Sequence, residues 1–143
     1  MTIPAILRIK GAEVISVEAR VSLRDALQVM DKHQIGAVIV TSSEKSCEGI
    51  FTERDFMRAV ARADARVLDD PVSEHMSERP TAVTLDTSVQ EAMEMMTEMR
   101  FRHLPVMQEG ALCGIISLGD LVNHRINETE REAQALKEYI TSG

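Results

Sequence analysis

Laid over itself with a shift of 66 residues, the chain matches at Ser22/Ser88, Ala26/Ala92, Met30/Met96 and Val40/Val106. After a single-residue gap the match resumes at a shift of 65, with Gly49/Gly114, Ile50/Ile115, Thr52/Ser117 and Asp55/Asp120. A period this long, present twice in 143 residues, predicts two units packed face to face; a solenoid usually stacks about three or more shorter repeats. The length is that of one ordinary domain, which buries roughly two-thirds of the surface its unfolded chain exposes. The two units are therefore expected to fold together.

Each unit reads β-α-β-β-α. A short strand comes first, over residues 14–17 in one half and 81–84 in the other. Ser22-Leu23-Arg24-Asp25 resembles a capping box and Ser88-Val89-Gln90-Glu91 is one, so a helix should start at each Ser. Leu23, Ala26, Leu27 and Met30, like Val89, Ala92, Met93 and Met96, recur at the spacing of one buried helical stripe. Apolar runs at 37–40 and 104–106, then at 49–51 and 114–116, are short enough for strands, separated by polar turns at 41–48 and 108–111. Second helices begin near Glu53 and Leu118. The expected fold class is mixed α/β (α+β), with two β-α-β-β-α repeats related by a pseudo-twofold and a long C-terminal helix. Repeat one covers 8–66, a linker with one helical turn near Val72 to Met76 covers 67–80, repeat two covers 81–126, and a helical extension covers 127–143. Each unit is expected to bury its helical face against the other. Val122, Ile126, Thr129, Ala133, Leu136 and Ile140 keep a coiled-coil period, which suits either a seam with a second copy or a tail packed on its own domain.

Charge and composition exclude several functions. The net charge of −7 carries no long run of one sign, which disfavours nucleic acid and anionic membrane surfaces as partners. Aromatic residues are 3% with no Trp, so the stacking platforms of single-strand binders are missing. No apolar run is long enough to span a bilayer. The opening Met1-Thr2-Ile3-Pro4-Ala5-Ile6-Leu7 is too short and Pro-broken for a signal peptide, and Cys47 and Cys113 form no CxxC pair, so a cytoplasmic protein with free thiols is expected. A small phosphorylated ligand stays compatible with the charge, because a pocket needs only a few local cations and backbone N–H groups.

The most informative feature is the pair of endings Gly49-Ile50-Phe51-Thr52-Glu53-Arg54-Asp55 and Gly114-Ile115-Ile116-Ser117-Leu118-Gly119-Asp120. In both, a strand ends on a hydroxyl residue and an Asp follows three positions later, in the first turn of a helix. The plain reading is an N-cap with a carboxylate near the positive end of the helix dipole. The functional reading is a helix N-terminus for a phosphate and a fixed carboxylate for the two hydroxyls of a ribose. Other candidates reduce to structure. Met93, Met95, Met96 and Met99 suit an adaptable core. His33, His75, His103 and His124 lack zinc-motif spacing, so no metal is expected. Asp120 stands where a P-loop starting at Gly114 needs Lys, and there is no GxSxG elbow.

These endings, the Ser-led helices and Arg102-His103-Leu104-Pro105-Val106 resemble the CBS (cystathionine β-synthase) domain, and two in tandem resemble a Bateman module. The likeness covers about residues 8–126, and the whole chain resembles stand-alone bacterial two-repeat proteins. It implies a non-catalytic regulatory module that binds AMP, ADP, ATP or NAD(H) between the repeats and signals occupancy to a downstream protein. One implied site uses Asp120 and Ser117, with the base near Ile15 and the Ile35-Gly36 backbone. The other uses Asp55, Thr52 and Arg54, with the base near Thr81, Ala82 and Phe101. Arg102 and His103 match positions that turn towards phosphates, and Lys10 a position of polar phosphate contact, although a solvated Lys is the plainer expectation. The resemblance also implies a homodimer. The alternatives are a structural dimerisation unit with non-functional sites and a small nucleotide-hydrolysing enzyme.

Overall fold

In both repeats a Ser starts the first helix. Ser22 Oγ accepts the Asp25 amide at 3.1 Å and begins α2 (Leu23–His33); Ser88 Oγ accepts the Glu91 amide at 3.0 Å and begins α4 (Val89–Met99). Both helices stop at a left-handed residue, Gln34 at φ 53° and Arg100 at φ 58°, which stand 66 positions apart. The computed structural model from which this geometry comes describes residues 2–11, 13–42, 46–78 and 80–142.

In the first repeat, β1 (Ser16–Glu18) runs parallel to β2 (Ala37–Thr41), which pairs antiparallel with β3 (Gly49–Thr52). The turn expected over 41–48 falls partly outside the described residues. α3 (Glu53–Ala63) follows, and then the linker does more than tether. It forms 3-10 turns at Ala65–Asp69 and Val72–Glu74, adds the short β4 (Ser77–Glu78) to the edge of β3, and buries Val67 and Val72 in the first repeat's core.

The second sheet is only the hairpin of β5 (His103–Gln108) and β6 (Ala111–Ser117), turned at Glu109 and Gly110, both with positive φ. The strand expected over 81–84 shrinks to one bridge, in which Val83 donates to the Pro105 carbonyl at 2.9 Å and accepts from Met107 at 2.8 Å. Pro105 is the reason. Its counterpart Ile39 uses its amide to bind the Ile15 carbonyl at 3.3 Å, whereas proline has no N–H to extend the ladder towards Thr81. The sheet is completed by packing instead: Ile3, Ile6 and Leu7 of an unanticipated N-terminal helix, α1 (Ile3–Lys10), are buried in the second repeat's core. The expected boundary at residue 8 falls inside this helix.

The repeats meet through their sheets. Ala37, Ile39 and Ile50 of the first repeat pack with Leu112 and Ile115 of the second, while α2 and α3 cover the opposite face of the first sheet around Val38, Val40 and Phe51. The expected burial of one helical face against the other is thus corrected: each sheet has two apolar faces, one for its own helices and one for its partner sheet. The last helix, α5 (Leu118–Ser142), buries Leu121 and His124 against α1, α4 and β6, but residues 129–142 are exposed. Packing of the whole tail on its own domain is therefore also corrected. Among the described residues no helix is long and apolar enough to cross a membrane.

Candidate functional site

α3 and α5 both begin on the hydroxyl that ends the preceding strand. Thr52 Oγ1 accepts the Asp55 amide at 3.2 Å while Asp55 Oδ2 accepts the Thr52 amide at 3.0 Å. Ser117 and Asp120 repeat the exchange at 3.1 and 2.8 Å. The reciprocal capping boxes thus lie at these second helices, and Ser22 and Ser88 cap theirs through the hydroxyl alone among the described bonds. The Glu53 amide is tied to the Gly36 carbonyl at 3.1 Å and the Leu118 amide to the Arg102 carbonyl at 2.8 Å, so each helix start is fixed to its own repeat.

A cavity of about 490 Å³ opens before the first helix start. Thr52, Arg54 and Asp55 line it from the first repeat and Thr81 and Phe101 from the second, as the resemblance groups them, and Arg102 and His103, which it assigned to neither site, line it too. Ala82 is exposed and outside this lining, because Val83 beside it turns into the core. Gly36, assigned by the resemblance to the Asp120 site, lines this cavity instead, while Ile15 and Ile35 pack on the first repeat's core.

Arg58, Arg100 and Ser77 are among the lining residues that were not anticipated. Arg58 stands one turn beyond Arg54 on α3, a spacing legible in the sequence. Arg100 is brought in by its left-handed backbone, and its carbonyl accepts Arg54 Nη1 at 3.3 Å across the repeats. Ser77, from β4, donates to Asp55 Oδ1 at 3.2 Å. Asp55 is buried, with its Oδ2 also taking the Thr52 hydroxyl at 3.1 Å. Four arginines (54, 58, 100 and 102) thus face two carboxylates, Glu53 and Asp55, in a chain of net charge −7. That local excess of cations, on an acidic protein, suits a multiply charged anion.

The second helix start looks different. Lys10 stays partly exposed but is ion-paired: its Nζ donates to Asp120 Oδ2 at 2.7 Å and to the Ile115 carbonyl at 3.0 Å. Burial pushes the Asp120 carboxyl up, but the Lys10 ammonium and the Ser117 amide outweigh it and hold the group below its ordinary range. His103 lies between the two helix starts. Burial pushes its pKa down, Lys10 and Arg102 add to this, and Glu53 and Asp120 oppose it. Among the described residues one His-centred cluster forms away from the cavity, on the linker, where His75 Nε2 lies 2.8 Å from Asp70 Oδ2 with Glu74 beside them.

A family model described as the CBS domain matches residues 9–62 and again 72–127. A crystal structure of a CBS-domain containing protein from Agrobacterium tumefaciens is similar at 40% identity and a TM-score of 0.84, over 87% of this chain and 99% of that one. A mitochondrial CBS domain-containing protein of Arabidopsis thaliana is 33% identical over 83% of this chain, which spans 60% of the length of that relative. The CBS domain-containing protein YhcV of Bacillus subtilis is 31% identical over 85% of this chain and 86% of its own. With both halves matched and relatives built from the same repeats, the chain belongs to the CBS domain family and carries two CBS repeats.

Proposed function

We propose that the chain is a non-catalytic regulatory module that holds an adenine nucleotide, AMP, ADP, ATP or NAD(H), in the Asp55 cavity and passes occupancy to a partner. The observation that carries this reading is one cavity that combines a carboxylate fixed at a helix N-terminus with four arginines from both repeats. The carboxylate would accept the ribose hydroxyls, the arginines and the first amides of α3 would take phosphate, and the Phe101 and Thr81 side would face the base. Because the lining comes from both repeats, a bound ligand would tie them together, which gives occupancy a structural readout. Two proteins that share this fold support it as a scaffold for such ligands. One from Pyrobaculum aerophilum, 24% identical with a TM-score of 0.73, is complexed with AMP. Another CBS pair, 19% identical with a TM-score of 0.76, holds 5′-methylthioadenosine and S-adenosyl-L-methionine.

Titration calorimetry with AMP, ADP, ATP and NADH tests the reading. Asp55→Ala is expected to weaken binding by about 1.5–3 kcal/mol, the value of a hydrogen bond to a charged group, and 2′-deoxy analogues should show a similar loss. ATP recovered intact after incubation would fit a sensor; steady conversion to ADP would favour the enzymatic alternative. Failure of the parent to bind any of the four would leave the structural dimerisation unit.

The quaternary reading is a homodimer in a reducing compartment such as the cytoplasm. It is supported by the exposed Ile126, Leu136 and Ile140 on α5 and by the unpaired Cys47 and Cys113, whose thiols burial pushes up in pKa. Leu136→Glu with Ile140→Glu should weaken association in light scattering if the stripe contributes; a parent that is monomeric at high micromolar concentration would overturn the dimer.

A further inference from the structure

We propose that α1 is a built-in occupant of the second cleft: Lys10 holds the Asp120 carboxylate that a ligand would need, so the chain takes one nucleotide, at Asp55. This rests on the nucleotide reading above and adds stoichiometry and a closing element to it.

The duplication supplies an internal control. Thr52-Asp55 and Ser117-Asp120 share the same reciprocal cap to within a few tenths of an ångström, so backbone geometry does not distinguish the two helix starts. What reaches the carboxylate does. Asp55 is touched by the hydroxyl of Ser77, a short neutral group, and a cavity of about 490 Å³ remains in front of it. Asp120 is touched by an ammonium at 2.7 Å, which also occupies the carbonyl of Ile115 at 3.0 Å. Ile115 is the repeat counterpart of Ile50, which lines the open cavity. Lys10 therefore neutralises the carboxylate and stands at the equivalent corner.

The ammonium is held there by its helix. Ile3, Ile6 and Leu7 are buried in the second repeat, and Leu7 lies in the space that Gly114 leaves, where an added Cβ would come within 2.7 Å of Leu7 Cδ2. Gly11, at φ 98°, ends the helix with its amide on the Leu7 carbonyl at 2.8 Å, just past Lys10. The corresponding glycine of the first repeat, Gly49, is covered by Met76 and the Ser77 backbone. Each repeat thus has a segment from outside its β-α-β-β-α unit seated on its glycine, and among the described residues only the one on the second repeat carries a cation to the Asp.

Equilibrium dialysis with radiolabelled AMP, repeated with ATP, counts sites per chain. The parent should bind one equivalent, lost in Asp55→Ala and kept in Asp120→Ala. Lys10→Met, which keeps an apolar stem, and Lys10→Ala should each raise the count to two, with the second equivalent lost again when Asp120→Ala is added. Two equivalents in the parent, one of them removed by Asp120→Ala, would overturn the proposal while leaving the nucleotide reading intact; so would a count that stays at one in Lys10 variants whose melting curves show them folded. No binding by any protein would overturn both. Timed acetylation of the parent, read by mass spectrometry, needs no variant. Lys10 should react more slowly than Lys32 and Lys137 with and without saturating AMP, and a Lys10 that reacts as fast as these, or becomes reactive when AMP binds, would sink the idea.

Discussion

The first repeat finishes its sheet with strands and the second with a helix. β1 and β4 flank β2 and β3 on one side of the pseudo-twofold, whereas β5 and β6 stand as a hairpin bridged only by Val83 and packed by α1. In both cases the completing segment lies outside the β-α-β-β-α unit as read from the repeat: residues 65–78 for the first, α1 for the second. α1 stands at the N-terminal end of repeat one in sequence yet serves repeat two in space. The duplicated sequence therefore fixes the helices and hairpins, and the unduplicated segments decide how each half is finished and which helix start stays open.

This comparison can be broken most severely at the buried side chains of the two completing segments. Ile3→Ala should lower stability by about 2–5 kcal/mol, and Val72→Ala by less because fewer carbons leave the core, both read by urea unfolding. If either change is neutral, that segment is not part of its repeat's core. The next effect sits at the paired glycines. Gly49→Ala would place a methyl 2.6 Å from the Ser77 backbone oxygen, Gly114→Ala one 2.7 Å from the Leu7 side chain. Overpacking of this kind costs about 1–3 kcal/mol, and the backbone contact should be the dearer. Adding Leu7→Ala should return part of the loss at Gly114; equal, unrelieved costs at both sites would contradict the packing described.

Smaller effects sharpen the resemblance between the halves. Ser22→Ala and Ser88→Ala each remove one hydroxyl cap and should each cost about 1 kcal/mol, with near-equal shifts in the unfolding midpoint. The last test is pH. His103 is held below its ordinary value of 6.5 chiefly by burial, so the unfolded chain takes up the proton first and stability present above 6.5 is lost as pH falls through that range. Asp120, also depressed, contributes stability above the ordinary carboxylate range and loses it only as pH falls further, through its folded value. Melting curves between pH 7 and 5 should therefore show a modest decline that His103→Gln flattens, whereas Asp120→Asn should lower stability throughout this range and remove the further loss at lower pH.

Much of this was legible because the signals were local and doubled. Ser caps and apolar stripes located α2 and α4, and the hydroxyl-to-Asp spacing located both helix starts. α1 was hidden by Pro4, read as a break although proline fits the first turn of a helix, where its missing N–H has no partner to lose. The stripe Ile3, Ile6, Leu7 carried the signal. The shortened strand at Val83 was decided by Pro105, distant in sequence, and the pairing of Lys10 with Asp120 spans 110 positions. Arg100 enters the cavity through a left-handed backbone, on which side-chain periodicity is silent. Interactions across such separations leave no trace in a local pattern.

The placement of α1 also sets an order of events. Its buried face rests on Gly114 and its last residue reaches Ile115, so during synthesis this helix finds its seat only after the more than 100 residues between them have emerged. Closing such a loop before any contact rewards it is the entropic burden that slows folding in chains dominated by distant pairings. The first repeat, whose completing segment follows it closely in sequence, can assemble early, while an apolar N-terminal stretch waits uncovered. Vectorial synthesis would then make the second half the late, aggregation-exposed step, and a refolding trace should show α1 docking in the slow phase.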